Sequence, residues 1–202
     1  MTNQQMVDFD GPIGPSMSEF SSEYMSYVES HLDEDLTHVA DRILALLRSM
    51  QSLTQGFAID QLEHSLQTAT RAERGGADLD MIVASLCHDI GKTLSNANHP
   101  AIAAEMIRPW VSPEAYWVVK VHQDFQGLHY YTRMGLDPMM RLKHKDHPAY
   151  ELAATFADDW DQTAFDPDYD TLPLEHFEEK VRTVFASANM FPSASAGKRY
   201  SN

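Results

Sequence analysis

The residues best equipped for chemistry are an isolated His64 and the adjacent His88 and Asp89 within CHDIGK at 87–92. At the end of a helix, one imidazole and one carboxylate can project from the last turn toward the same point. A histidine from the preceding helix then completes a set of three ligands. Nitrogen and oxygen donors together suit iron, manganese or zinc, whereas magnesium and calcium favour oxygen alone. His99, in NANHP, and His122, in VVKVHQDFQG, lie 23 residues apart, close to the 24 that separate His64 from His88. His99 is expected to open one helix and His122 to end the next. Each pair then spans a helix-turn-helix unit, and the two pairs can face one another across a bundle. His31, His38, His129, His144, His147 and His176 have no comparable placement and read as surface residues.

The elements that must carry these residues are helical. Leu36, Val39, Ile43, Leu46, Leu47 and Met50 recur at spacings of three and four and form one apolar stripe. Asp60 can cap the next helix, with Glu63 three residues on and Leu62, Leu66 and Ala69 on its buried side. A third helix begins near Asp78 or Leu79, carries Ile82, Val83 and Leu86, and is expected to end at a left-handed Gly91. Pro100, Pro113, Pro138 and Pro148 mark starts of shorter helices, since proline is tolerated in a first turn. A last amphipathic helix runs from about Leu174 to Phe185. No period-two pattern argues for a strand. The reading is an all-α fold, a single helical bundle over 19–188 between loose tails at 1–18 and 189–202.

Composition narrows the partners. A chain of 202 residues fits one domain with a sizeable core. Its formal charge of −15 argues against nucleic acid, which demands a basic face. The apolar runs are too short to span a bilayer, and the N-terminus lacks the basic start and apolar stretch of a secretory signal. Cys87 is the only cysteine, which fits a reducing cytoplasm. Asp166, Asp168 and Asp170 lack the glycine and glutamate of a calcium loop and read as a solvated turn. The oligomeric state is not legible.

The H…HD…D order resembles the HD-domain superfamily over about residues 57–185, and the resemblance makes Asp161 the fourth signature position. Within that superfamily, four histidines and two aspartates resemble the mixed-valent diiron oxygenases of the myo-inositol and hydroxylated aminoethylphosphonate types. IDQLEHSLQTA at 59–69 is similar to the phosphonate enzymes around their first histidine, and WDQ at 160–162 to their last aspartate, which selects Asp161 over Asp158 and Asp159. The implied set is His64, His88 and Asp161 on one iron and His99 and His122 on the other, with Asp89 bridging.

That resemblance implies an enzyme using O2 to cleave a C–C or C–P bond beside a hydroxylated carbon of a small, polar, anionic substrate. Its cofactor is an Fe(II)/Fe(III) pair, with manganese or zinc as alternatives, and Asp89 and Lys92 are its expected catalytic residues. Lys92, Gln126, Phe57 and Gln61 are expected at the substrate. Thr54 and Phe57 stand where the phosphonate oxygenases carry tyrosine and glutamate, and Gln126 where they carry lysine, so the substrate stays open. Metal-dependent hydrolysis of a phosphomonoester or nucleotide is the alternative, since two metals also activate water.

Overall fold

Leu36 and Met50 do not belong to one helix. In the computed structural model, which describes residues 8–186, α1 (Ser22–Leu36) ends at Leu36 and α2 (Val39–Ser49) starts three residues later. Met50 opens a short 3-10 turn. Thr37 and His38 break the run, so the apolar spacing belongs to two separate helices rather than one. The expected C-terminal tail at 189–202 and the first seven residues of the N-terminal tail lie outside the described residues.

The described chain divides into residues 8–39 and residues 40–186. In the first unit, the Ser21 hydroxyl caps α1 by accepting from the Tyr24 amide, and the Phe9 ring lies against Tyr24 and Tyr27. Sequence periodicity missed α1 because its stripe is interrupted by acidic residues and none of its side chains is fully buried.

The second unit is an all-α bundle. It comprises α2 from Ala40 onward, α3 (Gln61–Arg74), α4 (Leu79–Cys87), α5 (His99–Ile107), α6 (Pro113–Tyr130), α7 (Tyr150–Thr155) and α8 (Leu174–Phe185). No strand occurs among the described residues. The α3–α4 and α5–α6 pairs pack as hairpins, and a π-helical turn at Phe156–Asp161, continuing α7, packs on both α3 and α6. Leu47, Met50, Leu86, Ile90, Ile107, Phe125, Phe156 and Phe177 are fully buried between them. Side-chain caps set the helix starts. Asp60 accepts from Glu63 N at 2.9 Å, Asp78 from Met81 N at 2.8 Å and Ser112 from Ala115 N at 3.2 Å.

Two expected boundaries are corrected. His122 does not end its helix; α6 continues for two further turns to Tyr130. Nor is Gly91 a left-handed cap. Helix α4 ends at Cys87, a 3-10 turn follows at Ile90–Thr93, and the positive-φ glycines among the described residues are Gly56, Gly76 and Gly135. The reason for glycine at 91 is contact: a Cβ there would sit 2.3 Å from the His99 carbonyl oxygen and 2.9 Å from its Cα. Gly91→Ala must therefore push the start of α5 away from the HD turn. Overpacking of this kind destabilises by about 1–3 kcal/mol. The expected result is a lower melting temperature together with weaker metal retention; a variant with unchanged melting and metal content would show that the approach is unimportant.

Candidate metal centre and cleft

Four buried imidazoles converge on two buried carboxylates, and each imidazole is held the same way. Nδ1 of His64 donates to the Ala164 carbonyl at 2.8 Å, and that of His88 to Ser85 at 2.7 Å. His99 donates to Asn96 at 2.9 Å and His122 to Val119 at 2.7 Å. A carbonyl can only accept, so the proton of each neutral ring sits on Nδ1 and the Nε2 lone pair faces inward. Those lone pairs point at one another: Nε2 of His64 and His88 are 3.2 Å apart, and Nε2 of His99 and His122 are 3.3 Å apart. Paired acceptors at such distances need a cation or a proton between them.

The carboxylates complete two halves. Asp89 Oδ2 is 3.4 Å from Nε2 of both His64 and His88, while Oδ1 is 3.1 Å from His99 Nε2 and 3.6 Å from His122 Nε2. Asp161 Oδ1 lies 3.2 Å from His64 Nε2 and 3.6 Å from His88 Nε2. Asp89 thus turns one oxygen to each histidine pair, and Asp161 joins the first pair only. Asp89 Oδ1 and Asp161 Oδ2 are buried without a hydrogen-bond partner. An orphaned buried carboxylate oxygen is costly, and a metal ligand is the simplest reason to keep one. The donor set fits borderline divalent metals.

Electrostatics agree with a cationic occupant. Burial disfavours charge on His88, yet Asp89 and Asp161 beside it raise its pKa to about 10. Burial would also push both carboxyls up, but the surrounding imidazoles, and Lys92 at Asp89, hold them well below the usual carboxylate range. His122 moves the other way: burial lowers its pKa and keeps a neutral, ligating ring. Cys87, next to His88, is fully buried, which pushes its thiol up to about 12. Its expected behaviour is inertness to Ellman's reagent in the native protein at mildly alkaline pH and full reaction on denaturation. Rapid native labelling would reveal an exposed, activated thiol instead.

A cleft of about 570 Å³ opens beside this centre. His99 and Lys92 reach it from the metal side. Lys92 donates to Asp89 Oδ2 at 2.5 Å and to Gln61 Oε1 at 2.8 Å. Gln61 is fully buried behind Lys92 and is not among the residues that line the cleft. Gln126 lines the wall and donates to Asp161 Oδ1 at 2.9 Å. Phe57 stands at the rim, half exposed, and stacks on Phe165 at 4.7 Å; Phe165 in turn stacks on His64 at 4.2 Å. Sequence reading missed Phe165, which carries no local signal and reaches the centre only through the loop after the π turn.

His129 was also missed. It lines the cleft, and its Nε2 lies 2.7 Å from Asp158 Oδ1. Arg141 clamps that carboxylate through Nη2 to Oδ1 at 2.6 Å and Nη1 to Oδ2 at 2.9 Å, and is itself tied to the Phe125 carbonyl. Burial raises the Asp158 carboxyl, but Arg141 and His129 outweigh it and hold it low. The signal was available: His129 follows His122 by seven residues, two turns of the same helix face, but it was hidden by ending the helix at His122.

The HD domain family matches residues 62–166 of the chain. A hydroxymethylphosphonate dioxygenase of Gimesia maris (strain ATCC 29201 / DSM 8797 / 534-30) is 26% identical over 127 residues, covering 55% of this chain and 62% of that relative. The chain therefore spans less than two thirds of that relative's length. Among the described residues, no helix is long and apolar enough to cross a membrane.

Proposed function

We propose, from the premise that this chain belongs to the HD domain family and is a metal-dependent enzyme, that it is a dinuclear iron oxygenase. Its reaction is O2-dependent cleavage of a C–P or C–C bond next to a hydroxylated carbon in a small anionic substrate. One observation carries the dinuclear reading: the two oxygens of Asp89 are divided between two histidine pairs. Oxygen chemistry draws its support from the likeness to a hydroxymethylphosphonate dioxygenase.

In this reading, His64, His88, Asp89 and Asp161 hold one ion, and Asp89, His99 and His122 hold the other. The pair supplies redox capacity and a positive charge for the substrate's hydroxyl and acidic group. The second half has one protein ligand fewer, and its His99 borders the cleft, so substrate approaches from that side. Lys92 holds Asp89 Oδ2 with one N–H and Gln61 with another. An ammonium has three donors, so one remains for a substrate oxygen at the cleft wall. Gln126 keeps Asp161 oriented, and Phe57 with Phe165 excludes water from the His64 side. A cytoplasmic setting belongs to the same reading and is consistent with a chain whose single cysteine forms no internal disulfide.

The test is anaerobic iron quantification, EPR after partial oxidation, and oxygen uptake with hydroxymethylphosphonate and related hydroxylated phosphonates and polyols. Two irons per chain, a mixed-valent signal and substrate-dependent uptake are expected. A redox-inert metal pair that releases phosphate from phosphomonoesters without consuming oxygen would replace the oxygenase by a hydrolase.

A further inference from the structure

We propose that His129 is a substrate-contacting residue of the cleft, meeting the acidic group of the substrate through Nδ1, with Asp158 and Arg141 as the residues that position it. The assignment rests on reading the cleft as the substrate site, and it adds a contact outside the metal ligands and Lys92.

Geometry carries the proposal. His122, Gln126 and His129 are spaced by four and three residues on α6, so they share one face. The π turn runs alongside with Asp161 and Asp158 three residues apart. The two segments make two rungs: Gln126 to Asp161 at 2.9 Å and His129 to Asp158 at 2.7 Å. One rung holds a ligand of the metal centre. The other holds a histidine that borders the cleft. Arg141 places two donors on Asp158, which fixes the carboxylate as an ionised acceptor. An acceptor at Nε2 requires the proton there, so Nδ1 is the nitrogen left for a ligand. Once doubly protonated, the ring offers Nδ1–H as a charge-assisted donor, with Asp158 balancing the charge behind it.

The surroundings select the ligand class. The chain carries a formal charge of −15, yet no carboxylate lines this cleft; its ionisable walls are Lys92, His99, His129, Tyr130 and Arg133. Arg133 lies one turn beyond His129 and donates to its carbonyl at 3.0 Å. A phosphonate, sulfonate or carboxylate group satisfies Nδ1–H of His129 with these cations around it, whereas an ammonium group would meet only neutral amide and hydroxyl oxygens and no carboxylate among the lining side chains.

The test uses metal-loaded protein as isolated and sulfate as the probe, because sulfate remains a dianion across the imidazole range. Calorimetric titration is run at about pH 6 and about pH 8, because a more protonated imidazole binds an anion more tightly. The charged and titratable groups around His129 are Asp158 on the π turn, Arg141 tied to it, Tyr130 and Arg133 beside it in sequence, and Lys92 and His99 on the metal side of the cleft. The wild type is expected to bind more tightly at the lower pH. His129→Gln should weaken binding about tenfold at pH 6, the size of one lost charge-assisted bond, and flatten the change with pH. Asp158→Asn should weaken it in the same direction, and the double variant should be no worse than His129→Gln alone. Metal content should be unchanged throughout, which separates a local effect from unfolding. A His129→Gln protein that matches the wild type at pH 6, or a wild type that fails to bind sulfate, overturns the assignment. No turnover is needed, so absence of oxygen uptake would sink the oxygenase reading and leave this one standing.

Discussion

Asp89→Asn is expected to remove both metal ions, not one. Each Asp89 oxygen faces a different histidine pair, and Oδ1 has no other partner. An amide presents one oxygen and one NH2, so whichever way it turns, one pair loses its oxygen ligand and gains a donor where a cation should sit. The other keeps a neutral oxygen in place of an anionic one. Lys92, now without its carboxylate, adds an uncompensated positive charge beside the first pair. Loss of a residue that merely orients a ligand weakens metal binding by about 10–100-fold; loss of a shared ligand should exceed the upper figure at both positions. Metal analysis after dialysis reads the outcome directly, with helical circular dichroism as the control for folding. Retention of one full equivalent would mean that Asp89 serves a single ion.

His122→Ala is expected to halve the metal content and abolish turnover while the bundle stays folded. His122 reaches the second half of the centre through Nε2 to His99 and Asp89 Oδ1, and its ring also lies edge-on to His88 at 5.1 Å. Its Nδ1 bond runs to Val119 within the same helix, so its loss leaves no distant element unanchored. The vacated volume destabilises by about 2 kcal/mol on the scale of buried truncations, roughly a 4–8 °C lower melting temperature for a chain this size. His64→Ala provides the contrast, because its ring also bonds the Ala164 carbonyl 100 residues away. That variant should lose the other ion and more stability. If His122→Ala keeps two ions per chain, the second half is not a metal site.

The legible and illegible parts of this protein divide along physical lines. Caps and proline starts are local chemistry, and Asp60, Asp78 and Pro113 stand where they were expected. The four histidines and Asp89 were legible because adjacency and matched spacings constrain where side chains can meet. Asp161 was different: three aspartates lie at 158–161, and only a resemblance separated them. Phe165 and the Asp158–Arg141 clamp depend on a loop and a turn whose course no periodicity encodes. Gly91 was singled out for its backbone freedom, yet its contact with His99 depends on how α5 docks, which is a tertiary fact. Gln61, expected at the substrate, is buried and accepts from Lys92 one layer behind the cleft wall, a depth that spacing cannot encode.

The π turn at Phe156–Asp161 makes this centre sensitive to the length of the segment as well as to the identity of Asp158 and Asp161. A π turn holds one residue more per hydrogen-bonded ring than an α turn. Deleting Asp159 or Trp160 would leave Asp158 and Asp161 two residues apart, about 200° around a regular helix at about 100° per residue. Asp158 and Asp161 could then no longer both face α6, and the two rungs would break together. Side-chain changes at the other positions of this stretch should therefore be graded in effect, whereas a deletion between the two aspartates should be all or none. Libraries for altering specificity should keep Asp158 and Asp161 and leave the number of residues in 156–161 unchanged.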